Sequence, residues 1–288
     1  MASYVIFTDS GCDISPDKLK LWSVGYAELS FRFDGEDKVY SNSEITANEF
    51  YARMREGAVA KTSAVNPDAF EKEFEKMLKE GKDVLYLGFS GGLSTTSNSA
   101  RIAARTLSEK YPERKIIIID TLCASAGQGM LVYLAAQKRD GGASIEENEK
   151  YIRDLLPHVC HWFTVDDLVY LKRGGRISPA AAFFGNMLGI KPVLHVDDEG
   201  HLIKVGTVRG RKASLAALAD KLMETAEDPA GGTFYISHGD CAEDAQILCD
   251  MIMARGGNKV EIITHVGTVI GAHSGPGTMA LFFVAKQR

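Results

Sequence analysis

The chain has 288 residues, of which 45% are hydrophobic and 25% charged, and a formal net charge of -5. That length has room for about two domains at the usual ~150 residues each, and the acidic balance excludes a general attraction to nucleic acid or to an anionic membrane. Cys12, Cys123, Cys160, Cys241 and Cys249 are odd in number, scattered and free of any CxxC pair. They argue against a disulfide framework or a thiolate zinc site and suit a reducing cytoplasm.

Asp9 and Asp13 interrupt the N-terminus before a signal-peptide core can form, and no apolar run reaches the ~18 residues of a membrane span. A cytoplasmic location without integral membrane association is therefore expected. The first strand is YVIFTDS, after which Ser15 and Pro16 start a short helix and Thr46 with Glu49 forms a capping box for EFYARMREG. Asn66 and Pro67 open a helix whose Phe70, Phe74, Met77 and Leu78 share one face, and the strand VLYLGFS comes next. A further strand, KIIIID, leads through a small-residue loop at Ala124 to Gly129 into an apolar helix. Strands this uninterrupted are buried on both faces, and the alternation with helices predicts a parallel sheet.

Ser144 and Glu147 make another capping box, and HVCHWF reads as a strand crossing into a second lobe, so the boundary is placed at residues 159/160. Short helices broken at Gly174 and Gly175 come next, then a hairpin with its turn near Asp198 to Gly200 and a helix through Leu215, Leu218 and Leu222. The strand TFYISHG precedes a helix expected to be capped by Asp240, and KVEIITHVG leads into a Gly-rich loop, GAHSGPG, before a last strand, ALFFVA.

Ligands of open parallel sheets sit beyond the carboxyl ends of strands, so chemistry is sought in the loops there. In GGLSTTSNS, glycines permit a tight turn while hydroxyls and unpaired amides of a first helical turn point outward, an arrangement suited to an anion. Ser94 also suits the N-cap of its own helix, and other segments must decide. Thr62 and Ser63 of KTSAVNP, Ser94, Thr95 and His273 of GAHSGPG together make a donor-rich set for a carboxylate or phosphate. No acidic metal cage accompanies them. A Walker loop and a GxGxxG fingerprint are both missing, and Asp9 and Asp13 read as anchors of loop backbone or partners of an Arg.

One catalytic pattern matches: Gly88 to Gly92 spell GxSxG, which in a serine hydrolase makes Ser90 the nucleophile, with His238 or His273 as its base. The segment PAAAFFGNMLGI is apolar all round a helical wheel apart from Asn186, so it is either a core helix or the wall of a cavity, with Asn186 expected among the ligand contacts. Lys172, Arg173 and Arg176 before it and Lys204, Arg209, Arg211 and Lys212 after it form a basic patch, which suits a solvated face, a docking surface or structural ion pairs.

Taken together, TDSGCDI, KTSAVNP, FSGGLSTTSNSA, LKRGGRIS, GNMLGIKPVL and VIGAHSGPGT resemble the DegV family, and within it the FakB-type bacterial fatty-acid-binding proteins. The resemblance spans the chain. It implies two α/β lobes, a parallel-sheet domain over 1–159 with the carboxylate-binding loops and an α/β domain over 160–288 with the acyl pocket, holding one fatty acid between them. It further implies that the carboxylate is presented to a FakA-type fatty acid kinase, which makes an acyl phosphate for phospholipid metabolism. The chain is then a carrier subunit and not an enzyme, with no cofactor besides the bound lipid. Matched by motif, Thr62, Ser63, Ser94 and His273 take the carboxylate-binding positions, and Arg173, Arg209 and Arg211 face the kinase. Thr95 stands where the family often has Gly, a departure that bears on selectivity.

Overall fold

The computed structural model describes residues 4–178 and 189–288. Asn186 and most of the apolar segment around it lie outside the described residues. Strands β1 (Tyr4–Asp9), β2 (Val24–Ala27), β6 (Asp83–Gly88) and β7 (Ile116–Asp120) form a parallel sheet in the order β2-β1-β6-β7. Each inner strand is buried on both faces because its side chains alternate between two cores. Leu85 and Leu87 point to one, Val84 and Tyr86 to the other. Helices α3 (Pro67–Lys79) and α4 (Thr96–Lys110) cover the outer face with Phe70, Phe74, Leu78, Ala100, Ala103 and Leu107. Asn66 starts α3 as expected, its side-chain oxygen accepting the Ala69 amide at 2.8 Å.

The sequence pattern does not separate a small antiparallel sheet, β4-β3-β5, built from β3 (Ser30–Phe33), β4 (Tyr40–Ser41) and β5 (Ala60–Ser63). Thr62 and Ser63 end β5, so they are fixed by ladder hydrogen bonds rather than carried on an open loop.

The second sheet has six strands in the order β10-β9-β8-β13-β11-β12: β8 (Val159–Thr164), β9 (Ile190–Val196), β10 (Leu202–Arg209), β11 (Phe234–His238), β12 (Val260–His265) and β13 (Met279–Val284). Only β11 and β12 pair in parallel; the other ladders are antiparallel. Helix α5 (Ser125–Asp140) is packed between the two sheets, with Ala126, Met130, Leu131 and Ala135 in one core with Leu85, Ile119, Phe163 and Phe282. Helices α8 (Arg211–Thr225) and α9 (Ala242–Ala254) close the far face of the second sheet with Leu215, Leu218, Leu222, Leu248 and Ile252. The molecule is thus a stack of helices, sheet, helix, sheet and helices.

One expected cap is corrected. Asp240 does not cap α9; it adopts a left-handed φ of 55° and its carboxylate pairs with Arg55 of α2 (Ala47–Arg55), across the two lobes. The capping box of α6 (Ile145–Leu155) is present in both directions between Ser144 and Glu147. No described helix is long and apolar enough to cross a membrane.

Candidate functional site

The carboxyl ends of β1, β6 and β7 face an edge of the second sheet at which β8 and β11 end and β13 begins, as the pairs Met279–Thr164 and His238–Met279 show. Because β13 runs against its neighbours, the segment that precedes it arrives at the same edge as the loops that leave β8 and β11. That brings the GAHSGPG segment to the parallel sheet's functional end. Between the sheets lies a cavity of about 490 Å³, within the ~300–1,000 Å³ range of small-molecule sites. Its walls are largely apolar, including Leu29, Phe89, Leu171, Val269, Ile270 and Phe282.

Thr62, Ser63, Ser94, Thr95 and His273 all line this one cavity, although they come from both lobes. Thr62 Oγ1 and His273 Nε2 are hydrogen-bonded at 2.7 Å across 211 residues of sequence. His273 sits on the last turn of a short helix, α10 (Thr268–Ser274), and not on a loop as its glycines suggested. Its neighbour Gly174 is required by space, since a Cβ there would collide with the imidazole Nδ1. Helix α10 is in turn held by the other lobe: Asn42 Oδ1 accepts the Val269 amide at 3.0 Å, and the Tyr51 hydroxyl donates to the Val266 carbonyl at 2.9 Å.

Ser94 is not the cap of α4; that position falls to Thr95, which makes no side-chain capping bond. Ser94 Oγ lies 2.8 Å from Thr96 Oγ1 and accepts the Thr96 amide at 3.2 Å. The preceding turn is fixed by carboxylates, as expected for Asp9. Its buried side chain accepts the Phe89 and Gly11 amides, each at 2.9 Å, and Asp120 accepts the amides of Gly91 and Leu122, each at 3.1 Å.

Burial pushes the His273 imidazole down to about 4, with the Arg176 guanidinium beside it adding to the shift, so the ring is neutral at pH 7. The positive charge of the site belongs to Arg176, a cavity-lining residue whose Nε donates to the Leu93 carbonyl at 3.2 Å. In the sequence Arg176 reads as one member of a basic run, which hides this role; its position between a Gly-Gly pair and the apolar Ile177 is the available signal. Neutral hydroxyls, an imidazole and one guanidinium on an apolar cavity suit an amphipathic anion.

Ser90 of GxSxG is fully buried, and its hydroxyl donates to the Gly200 carbonyl at 2.8 Å. Among the described residues no imidazole bonds to it. His238 instead accepts the Cys241 amide on Nδ1 at 3.2 Å and packs on His265. Among the described residues no group of three or more His, Cys, Asp or Glu side chains could hold a metal ion.

Of the basic patch, Arg173 and Arg209 are exposed. Arg211 is half-buried, its Nε on Asp244 at 2.9 Å and its Nη1 3.8 Å from Asp166. Such geometry fits a structural ion pair.

Over residues 3–286 the sequence matches the pattern of the DegV family of uncharacterised proteins. The chain belongs to the DegV family. It is similar to a DegV domain-containing protein of Clostridium perfringens, with 43% identity over 100% of this chain and 99% of that protein. Among solved structures it resembles a fatty-acid-binding DegV family protein from Thermus thermophilus, at a TM-score of 0.88 and 31% identity, covering 98% of this chain and 99% of that one. A stearic acid-binding protein from Eubacterium ventriosum also matches, at a TM-score of 0.88 and 27% identity over 98% of each chain. Both structures match over 98% of this chain, and the α/β fold with a parallel sheet and a second sheet is shared with them.

Proposed function

We propose that this DegV protein binds a long-chain fatty acid in the cavity between its lobes, with the carboxylate at Thr62, Ser63, Ser94, Thr95 and His273 and the charge of Arg176 beside it. The observation that carries the reading is the 2.7 Å Thr62–His273 contact on a largely apolar cavity that Arg176 also lines. An acyl chain of ~14 methylenes gains about 0.8 kcal/mol for each one buried, and association and ordering offset part of that gain. The polar groups then choose which end of the ligand sits among them. The fatty-acid-binding relatives from Thermus thermophilus and Eubacterium ventriosum support the same ligand class.

In this reading the protein is a cytoplasmic carrier that performs no chemistry of its own and presents the carboxylate to a FakA-type kinase, with exposed Arg173 and Arg209 on the docking face. The lobes divide at residue 160, a placement supported by β8, which starts at Val159 and pairs with β9 and β13. Mass spectrometry of ligand extracted from the purified protein tests the proposal. A co-purified fatty acid is expected. Esterase turnover blocked by a fluorophosphonate on Ser90 would instead favour the hydrolase.

A further inference from the structure

Resting on the fatty-acid reading above, we infer that Ser90 is a positioning residue that sets the carboxylate-binding loop from the opposite lobe, through the turn between β9 and β10. Its single proton goes to the Gly200 carbonyl at 2.8 Å, and its oxygen accepts the Gly92 amide at 3.2 Å. One hydroxyl therefore links the second lobe to the backbone two residues before Ser94. The contact is close-packed: a Cβ at position 92 would meet the Gly200 oxygen at 2.8 Å.

The link is one side of a closed hydrogen-bonded circuit. Within the turn, the Gly200 amide donates to the Asp197 carbonyl at 3.0 Å. Arg288 Nη1 joins that carbonyl, at 3.3 Å, to the Leu122 carbonyl, at 3.1 Å. The Leu122 and Gly91 amides then share the Asp120 carboxylate, each at 3.1 Å, which returns the circuit to the residue beside Ser90. Neither Ser90 nor Arg288 has a role in the carboxylate set itself. The Ser90–Gly200 bond is buried and the Arg288 bonds are partly buried, and groups so placed seek other partners when theirs are lost, so breaking the circuit shifts the Gly91 to Ser94 backbone. A displacement near 1 Å is enough to spoil a polar site while leaving the apolar walls intact.

The test compares stearic acid with the alcohol of the same chain, each displacing a fluorescent lipid from wild-type protein, from Ser90→Ala and from Arg288→Ala. Wild type is expected to prefer the acid. Ser90→Ala should bind the acid about tenfold more weakly and the alcohol unchanged, and Arg288→Ala should show the same selective loss at about threefold. Retention of the wild-type preference in both variants, or an equal loss for acid and alcohol, overturns the positioning role while leaving the fatty-acid reading in place. If Ser90→Ala does not fold, Arg288→Ala decides alone, since it leaves the loop's own side chains untouched. A wild-type protein that binds acid and alcohol equally overturns the fatty-acid reading first, and the inference with it.

Discussion

The two sheets reach the same cavity by different means. In the parallel sheet every strand runs toward the site, so only the turns that leave strand ends can reach it. These are the turns that follow β2, β6 and β7, which bring Leu29, Gly91 to Thr95 and Ala124 to the cavity, and the Asp9 and Asp120 carboxylates accept backbone amides around the Gly91 turn. In the mixed sheet β13 runs the other way, and the segment before it, with His273, reaches the edge where β8 and β11 end. The first lobe supplies neutral hydroxyls on rigid backbone, and the second supplies the ionisable groups, Arg176 and His273. In the proposed site, the hydroxyls thus come mainly from one lobe and the charge from the other.

Removing the charge should break this division most sharply. Arg176→Ala is expected to weaken fatty acid binding by about 3 kcal/mol, as for loss of one partner of a partly buried charged contact, and Arg176→Lys should restore only part of it. Displacement of a labelled fatty acid measures both. His273→Ala and Ser94→Ala, one from each lobe, should each cost about 1 to 3 kcal/mol, and the alcohol analogue should be indifferent to either. Unchanged affinity in both variants would remove these residues from the site.

A pH series separates the lobes next. His273, depressed to about 4 by burial, contributes stability that is complete above the unfolded value of 6.5 and is lost as pH falls toward 4. Asp13 in the first lobe is raised to about 7 by burial, so below that pH it stays protonated in the fold, and stability declines as pH rises from about 4 to 7. The two slopes oppose each other. Asp13→Asn should therefore make thermal stability rise more steeply with pH between 4 and 7 than in wild type; a parallel curve would argue against the buried acid. The smallest effect on lipid binding is expected from Arg173→Glu, which should leave affinity unchanged and impair phosphorylation of the bound lipid by a fatty acid kinase. Normal acyl phosphate formation by the purified variant would exclude Arg173 from docking.

Local features were legible in the sequence. Asn66 with Pro67, Ser144 with Glu147, and the apolar run at Val84 to Leu87 concern neighbours within a helical turn or one strand, where residue type decides. Glycines and hydroxyls after a strand marked the Ser94 turn for the same reason. Arg176 was hidden because a charge run reads as a solvated face until packing bends one member inward. Asp240 misled because the helix-capping pattern it satisfies competes with its bond to Arg55, 185 residues away. Nothing local marked Asn42 or Tyr51, whose partners in α10 and beside it lie 227 and 215 residues on.

By itself the sequence determined most of the larger helices and strands, the parallel character of the first sheet, the family and the residue types that could meet an acid, because these depend on short-range stereochemistry and on the order of motifs. Only the tertiary structure decided that Thr62 and His273 touch, that the imidazole is neutral and the guanidinium of Arg176 supplies the charge, and that Ser90 faces a carbonyl and not a base. Those outcomes depend on burial and on which chain segments lie against each other across the lobes, and neither quantity is local to any stretch of residues.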